Sequence, residues 1–332
     1  MKLTDKYNRV HNYLRLSVTD RCNLRCNYCN PKGISLNHSD KIEILTFGEI
    51  ERIVRIFVEY FEFKKVRLTG GEPFARKDIF RLVHNLGEIK KEIPYELSAT
   101  SNGILINGRI AELIQSGVDR INFSLDTFKR NRYFEITGAD SLFTAINSIM
   151  QAIEINPEKV KLNMVVMKGI NDDELIDFVD FAINNNVSVR FIEYMPFSNN
   201  GYDKNLLMNY NEMITKISGK YNLIRDSGDT ESVSKDYYVE NNNGKISFIT
   251  SITEHFCNTC NRLRVTSDGK LKLCLFSLKD NDLDIKALIR RGASDNEIAE
   301  EITYFIGNKN EMHDTFENLI QLKSSSMITV GG

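Results

Sequence analysis

The sequence predicts an α/β fold, a partial (β/α)6 TIM-like barrel whose mouth is closed by a smaller C-terminal α+β region. Three observations predict it. Strand-like and helix-like segments alternate through the first two thirds of the 332 residues. The residues richest in chemistry fall just after those strands. The pattern then changes after about residue 225, which divides the chain into a core barrel over 1–225 and a C-terminal domain over 226–332.

The strand candidates run from Tyr13 to Thr19, Lys65 to Thr69, Tyr95 to Thr100, Arg120 to Leu125, Lys159 to Met167 and Val187 to Tyr194. Helical patterns lie between them. At Thr46-x-x-Glu49 a capping box opens an apolar stripe of Ile50, Ile53, Val54, Phe57 and Phe61. From Asn171-Asp172 the same spacing recurs at Leu175, Phe178, Val179 and Ala182. Six βα units in succession imply parallel strands joined by right-handed crossovers, in either an open sheet or a partial (β/α) barrel, and both gather ligands beyond the carboxyl ends of their strands. Beyond residue 225, Ser227-Gly228-Asp229 and Asn241 to Gly244 are turn signals. There Lys245 to Ile249 and Leu263 to Thr266 are expected as strands of an antiparallel region, and 281 to 305 as helical.

Hydrophobic content of 42% and charged content of 27% are ordinary globular values, which excludes a disordered or collagenous chain. The first residues carry no apolar leader, and no apolar run approaches the ~20 residues that span a bilayer. A cytoplasmic protein with no membrane segment is expected. Formal net charge is −2, so the overall balance points to no nucleic acid; the partners of any anionic ligand must be clustered locally.

The six cysteines form two groups of three, Cys22, Cys26 and Cys29, then Cys257, Cys260 and Cys274. Disulfides are rarely needed by such a chain, and CxxxCxxC spacing suits a shared metal better. Three thiolates hold a cubane iron-sulfur cluster by three of its irons and leave the fourth open to a chelating ligand. Zinc is the alternative, but it takes four protein ligands and no histidine stands at a recognised spacing from the first triplet. Between Cys260 and Cys274, Asp268-Gly269 is a hairpin signal. Counting outward from that turn sets Cys274 opposite Leu263 and close to Cys260. His255 offers a fourth ligand there, so a Cys3His zinc site stays open at the second triplet.

Neither a GxxxxGK[ST] loop nor a GxGxxG fingerprint occurs, so side chains must grip any phosphates. Arg15, Arg67, Lys161 and Arg190 lie within expected barrel strands, where a charge without a partner is costly. Arg262 and Arg264 alternate by two, which puts both on one strand face.

The segment Leu14 to Cys29, with its CxxxCxxC loop and Tyr28 before the third cysteine, resembles the radical S-adenosylmethionine superfamily. That resemblance implies a cluster whose open iron chelates the methionine moiety, and reductive cleavage of the sulfonium to a 5'-deoxyadenosyl radical in a cavity closed to water and oxygen. Gly70-Gly71-Glu72-Pro73 resembles the superfamily's turn for the methionine amino group, where glycine lets backbone approach a ligand. By the same resemblance Tyr28, Gly71, Ser124 and Met195 match positions that contact S-adenosylmethionine. Without the cysteine loop they would pass for ordinary turn and interior residues.

The string Cys257-Asn258-Thr259-Cys260-Asn261-Arg262-Leu263-Arg264, the later Lys270 to Phe276 and the final Gly331-Gly332 are similar to the MoaA family, the GTP 3',8-cyclases, and the likeness runs over nearly the whole chain. It implies two 4Fe-4S clusters, S-adenosylmethionine as cofactor and GTP as substrate, with the guanine on the second cluster's open iron. It further implies GTP contacts from Arg15, Arg67, Thr100, Lys161, Arg262, Leu263 and Arg264, with Lys65 and Arg190 as further candidates. Arg262, Arg264 and the Gly331-Gly332 tail would serve catalysis. The adenosyl radical would take the ribose 3' hydrogen and the resulting carbon radical would attack guanine C8, which opens molybdenum cofactor biosynthesis. An external one-electron reductant, a downstream cyclic pyranopterin monophosphate synthase and a homodimer are implied as partners. A peptide-modifying radical enzyme is the rival, but such relatives carry more C-terminal cysteines. A non-catalytic electron-transfer or zinc protein would leave the GGEP turn and the basic strand residues without a purpose.

Overall fold

The computed structural model describes residues 1–29, 44–197, 200–226, 233–277, 282–321 and 327–331. The expected turn at Ser227-Gly228-Asp229 and the terminal Gly332 lie outside the described residues. The chain opens with β1 (Leu3–Thr4), β2 (Val10–His11), β3 (Tyr13–Ser17), α1 (Phe47–Tyr60), β4 (Lys65–Thr69), α2 (Ile79–Glu92), β5 (Glu96–Ser101) and α3 (Ile110–Gln115). It continues through β6 (Arg120–Ser124), α4 (Arg130–Thr137), α5 (Leu142–Ile155), β7 (Val160–Val166), α6 (Leu175–Asn185), β8 (Ser188–Glu193) and α7 (Tyr210–Ser218). The last third holds β9 (Leu223–Arg225), β10 (Lys235–Val239), β11 (Lys245–Ile249), β12 (Arg262–Val265), β13 (Lys270–Lys272) and β14 (Leu283–Asp284). Four helices end it: α8 (Ile285–Arg290), α9 (Asp295–Ile306), α10 (Phe316–Gln321) and α11 (Met327–Val330).

Local sequence explains most of these elements. At α1 the capping box forms as expected, Thr46 Oγ1 accepting from Glu49 N (3.2 Å) and Glu49 Oε2 from Thr46 N (2.7 Å), so two orphan donors are satisfied. The single helical stretch expected over 281 to 305 is instead α8 and α9. Gly292, at φ +83°, turns the chain between them, and Ser294 caps the second helix.

One large sheet runs β14-β13-β12-β3-β4-β5-β6-β7-β8-β11-β10-β9. From β12 to β11 every pairing is parallel. The six expected strands therefore form a partial TIM-like barrel. The expectation that Lys245 to Ile249 and Leu263 to Thr266 belong to a separate antiparallel region needs correction. β11 adds in parallel to β8 and β12 adds in parallel to β3, and antiparallel pairing begins only beyond them, at β10, β9, β13 and β14. The outer edges of β3 and β8 would otherwise present unpaired backbone groups. Among the described residues no pairing joins β11 to β12, so the barrel is an open arc.

The β12–β13 hairpin also differs by one residue from the count made on sequence. Arg264 faces Lys272 and Val265 faces Leu271. Thr266 N donates to Lys270 O and Gly269 N to Thr266 O, both at 2.9 Å, with Gly269 at φ +84°. This is a three-residue loop with glycine in the left-handed position, rather than a two-residue turn. Extending the register sets Cys274 opposite Arg262 instead of Leu263.

Alternation along the parallel strands separates two environments. Leu14, Leu16, Val66, Leu68, Leu97, Ile121, Phe123, Leu162, Met164, Val189 and Phe191 turn outward under the helices and are almost fully buried. Each such side chain contributes about 1.5–3 kcal/mol of burial. Their strand neighbours Tyr13, Arg15, Arg67, Thr69, Thr100, Asn122, Asn163 and Arg190 turn inward. The interior of this barrel is polar, so the arc encloses a hollow.

Candidate active site

Both cysteine triplets open onto that hollow. Cys22, Cys26, Cys29, Cys257, Cys260 and Cys274 line one cavity, together with Tyr28, Gly71, Ser124, Met195, Arg15, Arg67, Thr100, Arg190, Arg262 and Arg264. All six cysteines are free thiols. Among the described residues no three His, Cys, Asp or Glu side chains close tightly enough to grip a single ion. His255 lines the same cavity, with its ring 5.1 Å from that of His313.

The first triplet sits on the loop that leaves β3, and backbone bonds fix it. Arg25 N donates to Thr137 O and Asn27 N to Ile136 O, each at 2.9 Å, which docks the loop on the end of α4. Tyr28 OH donates to Asp126 Oδ2 at 2.8 Å, and Asn200 Nδ2 reaches Tyr28 O at 3.0 Å and Met195 O at 2.8 Å. The GGEP turn lies against the same loop. Gly71 N donates to Thr19 O (2.9 Å) and Glu72 N to Arg21 O (2.8 Å). The close approach that demands glycine here is to protein backbone, since a Cβ on Gly71 would stand 2.4 Å from Arg21 O.

Two carboxyl groups beside this triplet were not singled out from sequence. Glu72 is 1% exposed and accepts from Asn102 N (2.8 Å), Ser101 Oγ (3.0 Å) and Phe74 N (3.2 Å), tying the turn after β4 to the turn after β5. Burial, only partly offset by those donors, pushes its carboxyl up to about 7. Asp126 is pushed up to about 6 in the same way, against donors from Val165 N and Tyr28. The Cys22 thiol rises to about 11 and the Cys29 thiol to about 12, burial being the chief cause in both. A charge within a Gly-Gly-x-Pro turn behind a buried strand was the available signal for Glu72.

The raised carboxyl of Glu72 links its protonation to folding. Its folded value lies above the ordinary carboxyl value, so the folded chain binds its proton more tightly, and the stability this gives is lost as pH rises from about 4.5 to about 7. At 1.36 kcal/mol per pH unit that interval is worth about 3 kcal/mol. Urea unfolding of the metal-free chain at pH 5 and pH 8 should show this loss, and Glu72→Gln should remove most of it. Parallel pH profiles for the two chains would refute the assignment.

The field changes sign toward β3, β4, β8 and β12. In the register Arg264 stands opposite Arg15 and Arg15 opposite Arg67, three guanidiniums across three adjacent strands. With its amide oxygen turned inward, Asn122 accepts from Arg67 Nη1 (2.6 Å) and Arg190 Nη1 (3.1 Å). Burial alone would raise the Tyr13 phenol, yet Arg67, Arg15, Arg262 and Arg190 around it bring it below its ordinary value. Burial and then Arg264 lower Arg15. The buried Tyr13 OH, Thr100 Oγ1, Asn163 Oδ1, Arg190 Nε and Arg262 Nε have no hydrogen-bond partner among the described residues. Buried polar atoms and crowded like charges are costly, and a polar anion among them would relieve both. At the second triplet, burial raises Cys257 and Cys274, whereas Lys309 and Arg262 outweigh burial at Cys260 and lower it.

Some expected contacts lie off the cavity wall. Leu263 points to the other face of β12 and is fully buried in the apolar core, because Arg262 and Arg264 take the inward positions. Lys65 begins β4 and is exposed at the far end of the strand from the cysteines. Lys161 is half-buried below Asn163 on β7 and feels Arg190 and Arg67. Gly331, at φ +78°, accepts from Arg264 Nη1 at 2.7 Å, and a Cβ there would stand 2.2 Å from Thr69 Oγ1. The tail is thus brought to the arginine wall. Arg9, Lys309 and Glu193 also went unnoticed in the sequence. Glu193 is fully buried and accepts from Ile252 N (2.9 Å), Thr253 N (3.0 Å) and Tyr210 N (3.2 Å), which anchors the segment leading to the second triplet.

The donor chemistry fits the groups that the sequence implied. Each triplet offers three thiols, and Cys26 with Cys29 and Cys22, like Cys274 with Cys260 and Cys257, are close enough to influence one another. Buried neutral thiols need a positively charged body to become thiolate ligands, which iron supplies.

Residues 16–182 match the Radical SAM superfamily and residues 187–315 match Molybdenum Cofactor Synthesis C. The chain is 38% identical to a GTP 3',8-cyclase of Alkaliphilus metalliredigens (strain QYMF), covering 99% of this chain and 100% of that one. It is 41% identical to molybdenum cofactor biosynthesis protein 1 of Dictyostelium discoideum over 99% of this chain and 52% of that one. The chain therefore spans about half the length of several curated relatives it matches. Among solved structures, Streptococcus suis SuiB bound to S-adenosylmethionine shares the fold with a TM-score of 0.62 at 18% identity, covering 96% of this chain and 76% of that one.

Proposed function

The chain belongs to the radical S-adenosylmethionine superfamily and within it to the family of the GTP 3',8-cyclases, and on that premise we propose that it converts GTP to (8S)-3',8-cyclo-7,8-dihydroguanosine 5'-triphosphate, the first step of molybdenum cofactor biosynthesis. One observation carries the reading: two three-thiol seats face a single cavity whose wall is cationic near one and carboxyl-bearing near the other. S-adenosylmethionine is a cation at sulfur and GTP is a polyanion, so each matches one neighbourhood of the hollow.

When bound, S-adenosylmethionine on a first 4Fe-4S cluster held by Cys22, Cys26 and Cys29 supplies the 5'-deoxyadenosyl radical. The chain's own part is positioning and exclusion of water. Tyr28, Gly71, Ser124 and Met195 would line the cofactor, and Asp126 fixes Tyr28 through its hydroxyl. A second 4Fe-4S cluster on Cys257, Cys260 and Cys274 would seat the guanine. Arg15, Arg67, Thr100, Arg190, Arg262 and Arg264 would grip ribose and triphosphate, with Lys161 beneath them, so that the reacting atoms stay within about 3–3.5 Å. Gly331 would complete the wall beside Arg264, and a catalytic part for the Gly331-Gly332 tail belongs to the same proposal. An external one-electron reductant, a downstream cyclic pyranopterin monophosphate synthase, a homodimer and a cytoplasmic setting belong to the same proposal. No helix of the described residues is long and apolar enough to cross a membrane. Residues 1–225 would carry the cofactor seat and 226–332 the second cluster and tail.

The direct test is mass spectrometry of an anaerobic reaction with GTP, S-adenosylmethionine and dithionite. The cyclised nucleotide and 5'-deoxyadenosine are expected together, and 5'-deoxyadenosine without any GTP-derived product would overturn the substrate.

Lys161 gives a second, pH-linked test. Burial first, then Arg190, Arg120 and Arg67, push its ammonium down to about 6. Without GTP it is therefore mostly neutral at pH 7.5, and a triphosphate in the cavity above it would restore the charge. GTP binding should take up a proton, and affinity should fall as pH rises above 6. Calorimetric titration in two buffers of different ionisation enthalpy reads the uptake directly, and Lys161→Met should abolish it. Equal heats in both buffers would contradict the assignment.

A further inference from the structure

We propose that Arg9 and Lys309 are positioning residues for the second three-thiol seat, acting as a pair of buried cations that lock its backbone from behind; the inference rests on reading Cys257, Cys260 and Cys274 as a cluster site. Neither side chain lines the cavity. Arg9 is 8% exposed and Lys309 4%. Buried cations normally answer carboxylates, yet here most partners are main-chain carbonyls.

Arg9 spends its whole guanidinium on this task. Nη1 donates to Cys257 O (2.9 Å) and Glu311 O (2.6 Å), Nη2 donates to Asn310 O (2.7 Å), and Nε is held by Asp5 Oδ2 at 2.6 Å. Asp5 in turn faces His11 Nε2 at 3.0 Å on β2. The β1–β2 hairpin thus carries a rigid fork that ties the first cysteine of the triplet to the segment 310–311. Lys309, one residue before that segment, donates Nζ to Arg262 O (3.1 Å) and Leu273 O (2.6 Å). Arg262 opens β12 two residues after Cys260, and Leu273 follows β13 and immediately precedes Cys274. Together the pair bonds carbonyls flanking all three cysteines, and the segment 309–311 bridges them.

The physical need is clear. Cys257 and Cys260 stand on a short 3-10 turn, while Cys274 arrives from the end of a hairpin. Sulfurs on separate loops keep ligand spacing only if their backbones are fixed relative to one another. A planar fork suits three carbonyls at fixed angles in a way that an ammonium cannot match.

The test uses the full chain, reconstituted anaerobically, in a background where Cys22, Cys26 and Cys29 are all serine, so that bound iron belongs to the second seat. Release of iron to a chelator should be about 10- to 100-fold faster in Arg9→Lys and Lys309→Met, the usual cost of losing an outer-sphere support. Lys309→Arg, which keeps two donors, should restore slow release. With the first triplet intact, 5'-deoxyadenosine formation in these variants should match that of the parent chain. Unchanged release from the second seat, or equal loosening of both seats, would overturn the proposed clamp. If Arg9→Lys fails to fold, Lys309→Met and its arginine counterpart decide the matter alone. Failure of the underlying reading looks different, because the serine background would then bind no iron even with Arg9 and Lys309 in place.

Discussion

Serine in place of Cys274 should abolish the cyclised nucleotide, by about 10²-fold or more, while S-adenosylmethionine is still cleaved. The expected split follows from geometry. Cys274 comes from the end of the β12–β13 hairpin and has no part in the loop that follows β3. The first seat, its Asp126–Tyr28 tether and the GGEP turn are left untouched. What is lost is the third sulfur of the second triplet, which on the proposed function would seat the guanine, and displacement of a reacting group by about 1 Å is enough for a 10²-fold loss. Release of 5'-deoxyadenosine and cyclised nucleotide, measured in one anaerobic reaction, reads both halves. Undiminished cyclic product would sink the role of the second triplet.

Gly71→Ala should produce the opposite pattern, with both activities lost together. A Cβ at residue 71 would stand 2.4 Å from Arg21 O, 2.7 Å from Arg21 C and 3.1 Å from Asp20 O. These are backbone atoms of the segment entering Cys22, pinned from the other side by the Gly71 N to Thr19 O and Glu72 N to Arg21 O bonds. No rotamer change can make room, so the cysteine loop must move. Overpacking of this kind costs about 1–3 kcal/mol, and here it falls on the loop that carries Cys22, Cys26 and Cys29. Iron analysis should show the first seat depleted and the second retained, with 5'-deoxyadenosine formation lost. A Gly71→Ala chain with full iron and normal cleavage would show that the turn tolerates a side chain.

The barrel was legible because its strands are short, period-two segments ended by turn residues, and Lys65–Thr69 was found to the residue. The cysteines, and the arginines at 15, 67, 262 and 264, announced themselves by spacing or by charge in an apolar context. Long-range pairing left no such trace. Nothing local says that Lys245 to Ile249 will lie beside β8 or that Arg262 will lie beside Tyr13. The hairpin slipped by one because Asp268-Gly269 serves both a two-residue and a three-residue loop, and only the hydrogen bonds of Thr266 decide between them. Leu263 was carried to the ligand by its neighbours in the string, whereas strand alternation sends it into the core. Arg9 and Lys309 stayed hidden because their partners are backbone carbonyls far away in sequence. Glu72 and Asp126 looked like ordinary turn and strand-end acids until burial showed otherwise.

The two faces of each barrel strand answer to different masters. Leu162 and Phe191 are fixed by the close packing that keeps the chain folded, whereas Asn163 Oδ1 and Arg190 Nε on the inner face meet no hydrogen-bond partner among the described residues. Ligand contact and fold stability therefore depend on alternate positions of the same strand. A scaffold divided in this way lets its chemistry drift from one substrate to another while its architecture stays put.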